Sequence, residues 1–275
     1  MSLRRFSGLA RPLDLAYPTN RWIGAASLAI LAAGWLLRGS ISGDWLASGA
    51  WASLAALAVF LSWALCRELD PDRERIAFLA SGLALLGIAI TGLPDIAGLF
   101  AILLTIRVVN RTTGSGATAL DGLALFALTF WIALGGVWLY LALACLASIL
   151  DGLSAPGSPS RAAIGVGAAV LATGAILVIG PNLSPFEPQM PTTLLAVLLA
   201  AALYPAVRDA DSVETPADET GKRLSSMRLR LGQLLAAAAA LGLVLWHGGE
   251  GFAELMPLWA AMVAAGAGRL HERRR

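Results

Sequence analysis

The chain has little charge. Charged residues make up 14% of its 275 residues, whereas apolar residues make up 57%, and the mean hydropathy is +0.73. A soluble globular domain of this size does not need that much apolar surface to fill its core. The scarcity of charge therefore excludes an ordinary water-soluble domain and predicts a fold whose solvent is mostly lipid.

Cysteine and histidine are also scarce, with two of each. Cys66 and Cys145 are far apart in the sequence, which excludes a CxxC pair and a disulfide framework. His247 and His271 have no neighbouring Cys or His, as a zinc site would require. We therefore predict no metal ion and no cofactor. No long polar segment interleaves basic and aromatic residues, so no nucleic-acid partner is predicted.

What the sequence does contain is a series of apolar runs. They are rich in Ala and Leu and show no strand-like alternation, which favours helices over the strands of a barrel. We predict an all-α fold, a polytopic transmembrane helical bundle. The runs cover residues 22–37, 45–65, 76–91, 96–109, 120–150, 162–179, 192–207, 231–246 and 255–267.

The run 120–150 decides how many times the chain crosses the membrane. It is long enough for one tilted helix, for two short crossing helices, or for a re-entrant pair that returns to the same side. Gly135 and Gly136 lie at its middle, and paired glycines have low helix propensity. We predict a break at these glycines. The prediction is about ten crossings, with eight full spans plus a re-entrant pair as the alternative.

The basic residues favour an even number of crossings, because cytoplasmic loops of membrane proteins carry an excess of Lys and Arg. If the run 120–150 crosses twice or re-enters, only Arg38 of the twenty basic residues lies outside. A single crossing leaves no bias. Lys222 is the one lysine among them, and this strong use of arginine is typical of a GC-rich bacterial genome. We predict a multi-pass protein of the cell inner membrane with both termini cytoplasmic.

This topology divides the chain into five segments. They are a cytoplasmic N-terminal segment (1–21), a transmembrane helical region (22–207), a cytoplasmic polar linker (208–230), a C-terminal transmembrane helical pair (231–268) and a basic cytoplasmic tail (269–275). The acidic first half of the linker predicts disorder. Its basic second half predicts contact with anionic lipid through Lys222, Arg223, Arg228 and Arg230.

Two loops predicted to face the same side hold the polar residues most able to carry chemistry. Carboxylates after the second run could hold a hard cation through oxygen ligands. Arg107 and Arg111 are one helical turn apart, and both could donate hydrogen bonds to the phosphate of a lipid headgroup. Alternatively, the acids and arginines neutralise one another at the membrane surface. The candidate ligand-binding residues are Glu68, Asp70, Asp72, Arg107, Asn110 and Arg111.

Three classes of function remain open on the sequence. The first expectation is a transporter or permease for a small neutral or amphipathic solute, since the predicted spans contain almost no ionisable residue that could relay protons. The second is a lipid-phosphate-processing enzyme that uses the Asp/Arg cluster. The third is a membrane scaffold or assembly protein without chemistry. A polar cavity at mid-depth, an open Asp/Arg pocket or a solid core would distinguish these three.

The predicted orientation can be tested with reporter fusions after residues 155, 215 and 275. All three should report the cytoplasm, because an even number of crossings returns each position to that side. Periplasmic phosphatase activity from the fusions at 215 and 275 would contradict the even number of crossings.

Overall fold

The computed structural model describes residues 7–11, 13–154, 167 and 188–273. Within these residues the backbone is mostly helical, and a single isolated bridge between Pro216 and Arg223 is its only β-type pairing. Two 3₁₀ turns, Glu74–Ile76 and Asp209–Ser212, lie between helices. The helices are α1 (Pro18–Ser42), α2 (Trp45–Leu69), α3 (Ala77–Thr91), α4 (Ile96–Asn110), α5 (Ala119–Leu134), α6 (Leu139–Leu153), α7 (Met190–Ala202), α8 (Tyr204–Arg208), α9 (Ser226–Glu254) and α10 (Met256–Arg273).

Several of these helices can cross a membrane. Among the described residues, five helical segments are long and apolar enough, and α4, α5 and α6 are shorter apolar helices. The described part of the chain is therefore all-helical, and the length and composition of its helices indicate a membrane protein. The predicted run 162–179 falls outside the described residues except for Gly167, and the ten crossings stay a prediction. The five long segments are Pro18–Ser42, Trp45–Leu69, Glu74–Thr91, Met190–Ser212 and Ser226–Glu254.

The predicted break within residues 120–150 is confirmed. α5 ends at Leu134 and α6 begins at Leu139, with Gly136 between them at φ 101°. A positive φ is easily adopted by glycine, which lacks a Cβ atom. α5 and α6 pack against each other, so this part of the chain is a helical hairpin.

The loops between helices collect at two ends of the bundle. At the charged end the N-terminal segment 7–17 meets the loops 70–76, 111–118 and 209–225. At the opposite, far end, the N–H of Asp95 donates to the carbonyl of Glu254. Arg38, the one basic residue predicted to lie apart from the others, stacks on Trp51 within the α1–α2 pair. The loops predicted to share a side do lie together, and the compartment they face stays a prediction.

The predicted disorder of the polar linker is wrong. The N–H of Asp218 donates to the carbonyl of Thr112 at 3.1 Å, and the side chains of Val213 and Leu224 are buried. Composition indicated disorder because this segment is acidic, but the loop 111–118 supplies the partners that its backbone needs. The helix α9 begins at Ser226, within the last residues of this segment.

α2 is the central helix, and it packs against α1, α3, α4 and α10. The carboxylate of Asp44 caps its N-terminus by accepting from the N–H of Ala47 at 2.9 Å, which satisfies one of the free amides of the first turn. Close approach elsewhere depends on small residues. At Gly266 in α10, an added Cβ atom would overlap the carbonyl oxygen of Ala202 at the end of α7.

We expect Gly266→Ala to destabilise the fold by about 1–3 kcal/mol, because α10 must move away from the backbone of α7. Gly82→Ala is the matched control, since nothing lies within 4 Å of its added Cβ atom. Alanine there should be neutral or slightly stabilising, because it favours helix over glycine. Thermal unfolding in detergent measures both variants. Equal melting temperatures for the two would contradict the contact between α7 and α10.

Candidate functional site

A cleft of about 940 Å³ opens among the N-terminal segment, α2 and α4. Its lower wall is apolar and its upper rim, at the charged end, is formed by ionisable side chains. The apolar wall includes Leu57, Phe60, Trp63, Ile96, Phe100 and Leu103. The ionisable rim includes Arg11, Arg67, Glu68, Glu74, Arg107 and Asp218.

The cleft runs along α2 and α4, and α2 is long and apolar enough to cross a membrane. Ten residues of α2 separate Leu57 from Arg67, which corresponds to about 15 Å at 1.5 Å per residue. α4 contributes a similar length from Ile96 to Arg107. A bilayer has a hydrocarbon core of about 30 Å, so the apolar wall covers roughly half of that thickness. The cleft is amphipathic along the direction in which a lipid molecule lies.

The carboxylate of Glu68 is the centre of the rim. It is fully buried at the C-terminal end of α2. It accepts a hydrogen bond from the Nε of Arg107 at 2.9 Å. Arg11 approaches the same oxygen at 3.7 Å, and the hydroxyl of Thr112 donates to it at 3.3 Å. The side chain of Asn110 donates to the backbone carbonyl of Glu68 at 2.9 Å. These contacts join α2, α4 and the N-terminal segment.

The other arginines of the rim are also paired. Arg67 lies 3.0 Å from the carboxylate of Glu74 and stacks on the ring of Trp63 at 5.4 Å. Arg11 lies 2.6 Å from the carboxylate of Asp218. Each guanidinium group at the rim therefore already contacts a carboxylate, and an anionic ligand would have to displace one of them.

The N-terminal segment is part of the fold at this site. Leu9 is buried in the core, and the hydroxyl of Thr113 donates to the carbonyl of Gly8 at 2.6 Å. Asp121, in the first turn of α5, accepts from the N–H of Gly8 at 2.7 Å and from the hydroxyl of Ser7. The sequence predicted only a cytoplasmic segment here. Its docking supplies Arg11 to the rim and forms one side of the cleft.

Asp70 and Asp72 belong to a separate cluster. Arg269 is almost fully buried, and its Nη2 lies 2.7 Å from Asp70 and 3.2 Å from Asp72. Burial opposes ionisation of Asp72, but hydrogen bonds from the side chain and backbone of Thr215 and from the N–H of Glu214 outweigh it and hold the pKa of that carboxyl below its ordinary value. This cluster attaches the segment 209–225 to α10.

Arg111 belongs to a third cluster. Its φ is 51°, an uncommon value for a residue with a side chain, and it makes two hydrogen bonds to the carboxylate of Asp151 at 2.6 and 2.8 Å. Arg228 binds the same carboxylate at 2.8 Å and donates to the carbonyl of Val109 at 2.9 Å. This cluster joins α4, α6 and α9. Arg228 points into the fold, and lipid contact by the basic half of the linker stays a prediction.

The structure thus brings together only part of the predicted site. Glu68 and Arg107 pair in the wall of the cleft, and Asn110 contacts the backbone of Glu68 behind it. The other three candidates pair elsewhere. Among the described residues, no group of three or more His, Cys, Asp or Glu side chains could hold a metal ion. The carboxylates proposed as ligands for a cation are instead bound by arginines, as in the alternative of mutual neutralisation.

Four residues of these clusters are not among the candidate site residues that the sequence predicts. The sequence places Arg269 in the basic tail and Arg228 in a segment predicted to contact lipid, and it gives Asp121 and Asp151 no predicted role. One sequence pattern could have identified these residues. An acid at the end of an apolar run requires a base from the same side of the membrane, and an arginine in the first or last turn of a span can supply it.

Arg269→Gln should destabilise the protein by roughly 3–5 kcal/mol, because it leaves the buried carboxylate of Asp70 with only one of its two arginines. Arg230→Gln is the matched control. Arg230 pairs with Asp211 near the surface, so its loss should be worth less than about 1 kcal/mol. Chemical unfolding of both variants in detergent measures the difference. Equal loss of stability in the two variants would show that the buried cluster stabilises the fold no more than a surface ion pair does.

Comparisons with protein-family models, with curated protein sequences and with solved structures found no match to this chain. Function must therefore be inferred from the cleft itself. The geometry supports an integral membrane protein whose charged end is closed by ion pairs, with an amphipathic cleft beside one of them.

Proposed function

We propose that this membrane protein is a carrier for an amphipathic molecule, which it binds in the cleft. The head of the molecule lies at the rim, near Glu68 and Arg107, and its tail lies along the apolar wall formed by Phe60, Ile96 and Phe100. The observation that carries the proposal is the continuity of the two surfaces in one cavity. Ligand sites typically combine a mostly apolar lining with a few fixed polar groups.

The form of the cleft also narrows the ligand class. A carrier of small neutral solutes would need polar groups at mid-depth, where transporters bind their substrates. Here the deep part of the cleft is lined by apolar side chains such as Leu57 and Phe100, and the polar side chains that line the cleft are at its rim. An amphiphile matches both surfaces, whereas a small polar solute matches only one of them.

The two other expectations have less support. A scaffold without a ligand needs no cavity, but a cleft of about 940 Å³ opens beside α2 and α4. A lipid-phosphate-processing enzyme needs arginines that are free to bind phosphate, but Arg11, Arg67 and Arg107 already contact carboxylates. In the proposed carrier, the charged end faces the cytoplasm, since the basic loops collect there.

The carrier proposal predicts that filling the cleft abolishes binding. Ala97 lines the cleft on α4, and Ala97→Phe places a ring where the tail would lie. Ala89→Phe makes the same change on the exposed surface of α3, where lipid surrounds it. Native mass spectrometry should show a retained amphiphile on the wild type and on Ala89→Phe, and at least a fivefold lower retention on Ala97→Phe.

Transfer is measured separately from binding. Proteoliposomes containing the wild type should speed the movement of a fluorescent amphiphile between the two leaflets, and Ala97→Phe should lose that acceleration. Equal retention by all three proteins would contradict binding in the cleft. Binding without accelerated transfer would contradict the carrier and leave a binding protein.

A further inference from the structure

Two buried polar atoms in the wall of the cleft have no hydrogen-bond partner in the described chain. They are the Oε2 atom of Glu68 and the Nε1 atom of Trp63. Both residues line the cleft, and both side chains are buried. Buried polar groups in proteins are nearly always satisfied, because an unmade hydrogen bond leaves their desolvation uncompensated. These two atoms are therefore the places where a ligand would add a bond.

The two atoms need opposite hydrogen-bond partners. An ionised carboxylate oxygen only accepts hydrogen bonds, whereas an indole nitrogen only donates. Trp63 precedes Glu68 by five residues in α2, which places it about 7.5 Å nearer the middle of the membrane. A ligand that satisfies both must carry a donor in its outer part and an acceptor further toward its tail.

The charge of the rim indicates which kind of donor group the ligand carries. Five carboxylates line the cleft, and three arginines face them. The arginines are all paired, and the free oxygen of Glu68 remains after Arg107 has bound the other one. A surplus of negative charge at the mouth of a low-dielectric cleft attracts cations. The carboxylates are Asp14, Glu68, Glu74, Asp218 and Glu219.

We propose that the cleft selects an amphiphile with a protonated amine in its head, and this inference rests on the proposed binding of an amphiphile there. The ammonium group donates to the free oxygen of Glu68. The indole of Trp63 donates to an oxygen further along the molecule, as the ester carbonyl of an aminophospholipid would provide. Two sources share the ammonium group: a membrane aminophospholipid, and a free alkylamine that lacks the second oxygen.

The first experiment compares headgroups on the purified full-length wild type. Nanodiscs that contain equal amounts of phosphatidylethanolamine, phosphatidylcholine and phosphatidylglycerol supply the lipids, and native mass spectrometry measures which ones are retained. We expect phosphatidylethanolamine to be preferred about tenfold or more over the other two, because a charge-assisted hydrogen bond is the difference. Phosphatidylcholine is the key comparison, since its quaternary ammonium keeps the charge but has no N–H.

Variants of the protein distinguish an aminophospholipid ligand from a free alkylamine. Glu68→Gln should reduce the headgroup preference to about twofold or less, because the amide lacks the charge. Trp63→Phe keeps a ring at this position and removes only the N–H donor. It should weaken binding of phosphatidylethanolamine by about threefold to tenfold and leave binding of dodecylamine unchanged. Trp22→Phe, at an exposed position in α1, is the matched control and should change neither.

The outcomes are distinguishable. Equal retention of the three lipids by the wild type, while Ala97→Phe still lowers retention, would overturn the amine selectivity and leave amphiphile binding intact. Absence of any retained lipid or alkylamine on the wild type would overturn the proposed function itself. If Glu68→Gln fails to fold, the choice of the wild type between ethanolamine and choline headgroups still decides. Tighter binding of dodecylamine than of phosphatidylethanolamine, unaffected by Trp63→Phe, would identify a free amine as the ligand and overturn the role of Trp63.

Discussion

The structure depends on the neutralisation of buried carboxylates at one end of an apolar bundle. Glu68, Asp70 and Asp151 are each at most 2% exposed, and an unpaired charge in such a place would be strongly destabilising. Each carboxylate is bound by an arginine from a different part of the chain. Ion pairs therefore join the helix ends that lipid contacts alone would leave loosely associated.

These pairs also explain why the cleft lies where it does. The cluster around Asp70 attaches the linker to α10, and the cluster around Asp151 joins α4, α6 and α9. The cluster around Glu68 lies beside the cleft, and there the docked N-terminal segment supplies Arg11 from a loop rather than from a helix. One carboxylate oxygen stays unpartnered there. Of the three clusters, the one around Glu68 is the one whose carboxylate lies in the wall of the cleft.

The sequence predicts the local features of this fold well and its long-range pairs poorly. Apolar runs indicate the helices, and Gly135 and Gly136 indicate the break between α5 and α6. Glu68 and Arg107 were predicted as one site because both end apolar runs at the same side. The pair of Asp70 and Arg269 could not be predicted, since 199 residues separate them and several arginines were equally available. The order of the acidic linker depends on the loop 111–118, which composition does not reveal.

The central claim is that the cleft between α2 and α4 holds an amphiphile. A cryo-electron microscopy structure of the protein in nanodiscs made from native lipid, with a bound antibody fragment to aid alignment, tests it most directly. The account predicts elongated density along Phe60 and Phe100, ending in a head within hydrogen-bond distance of the Glu68 carboxylate. A cleft filled by the side chains of α2 and α4, with no density beyond them, would contradict it.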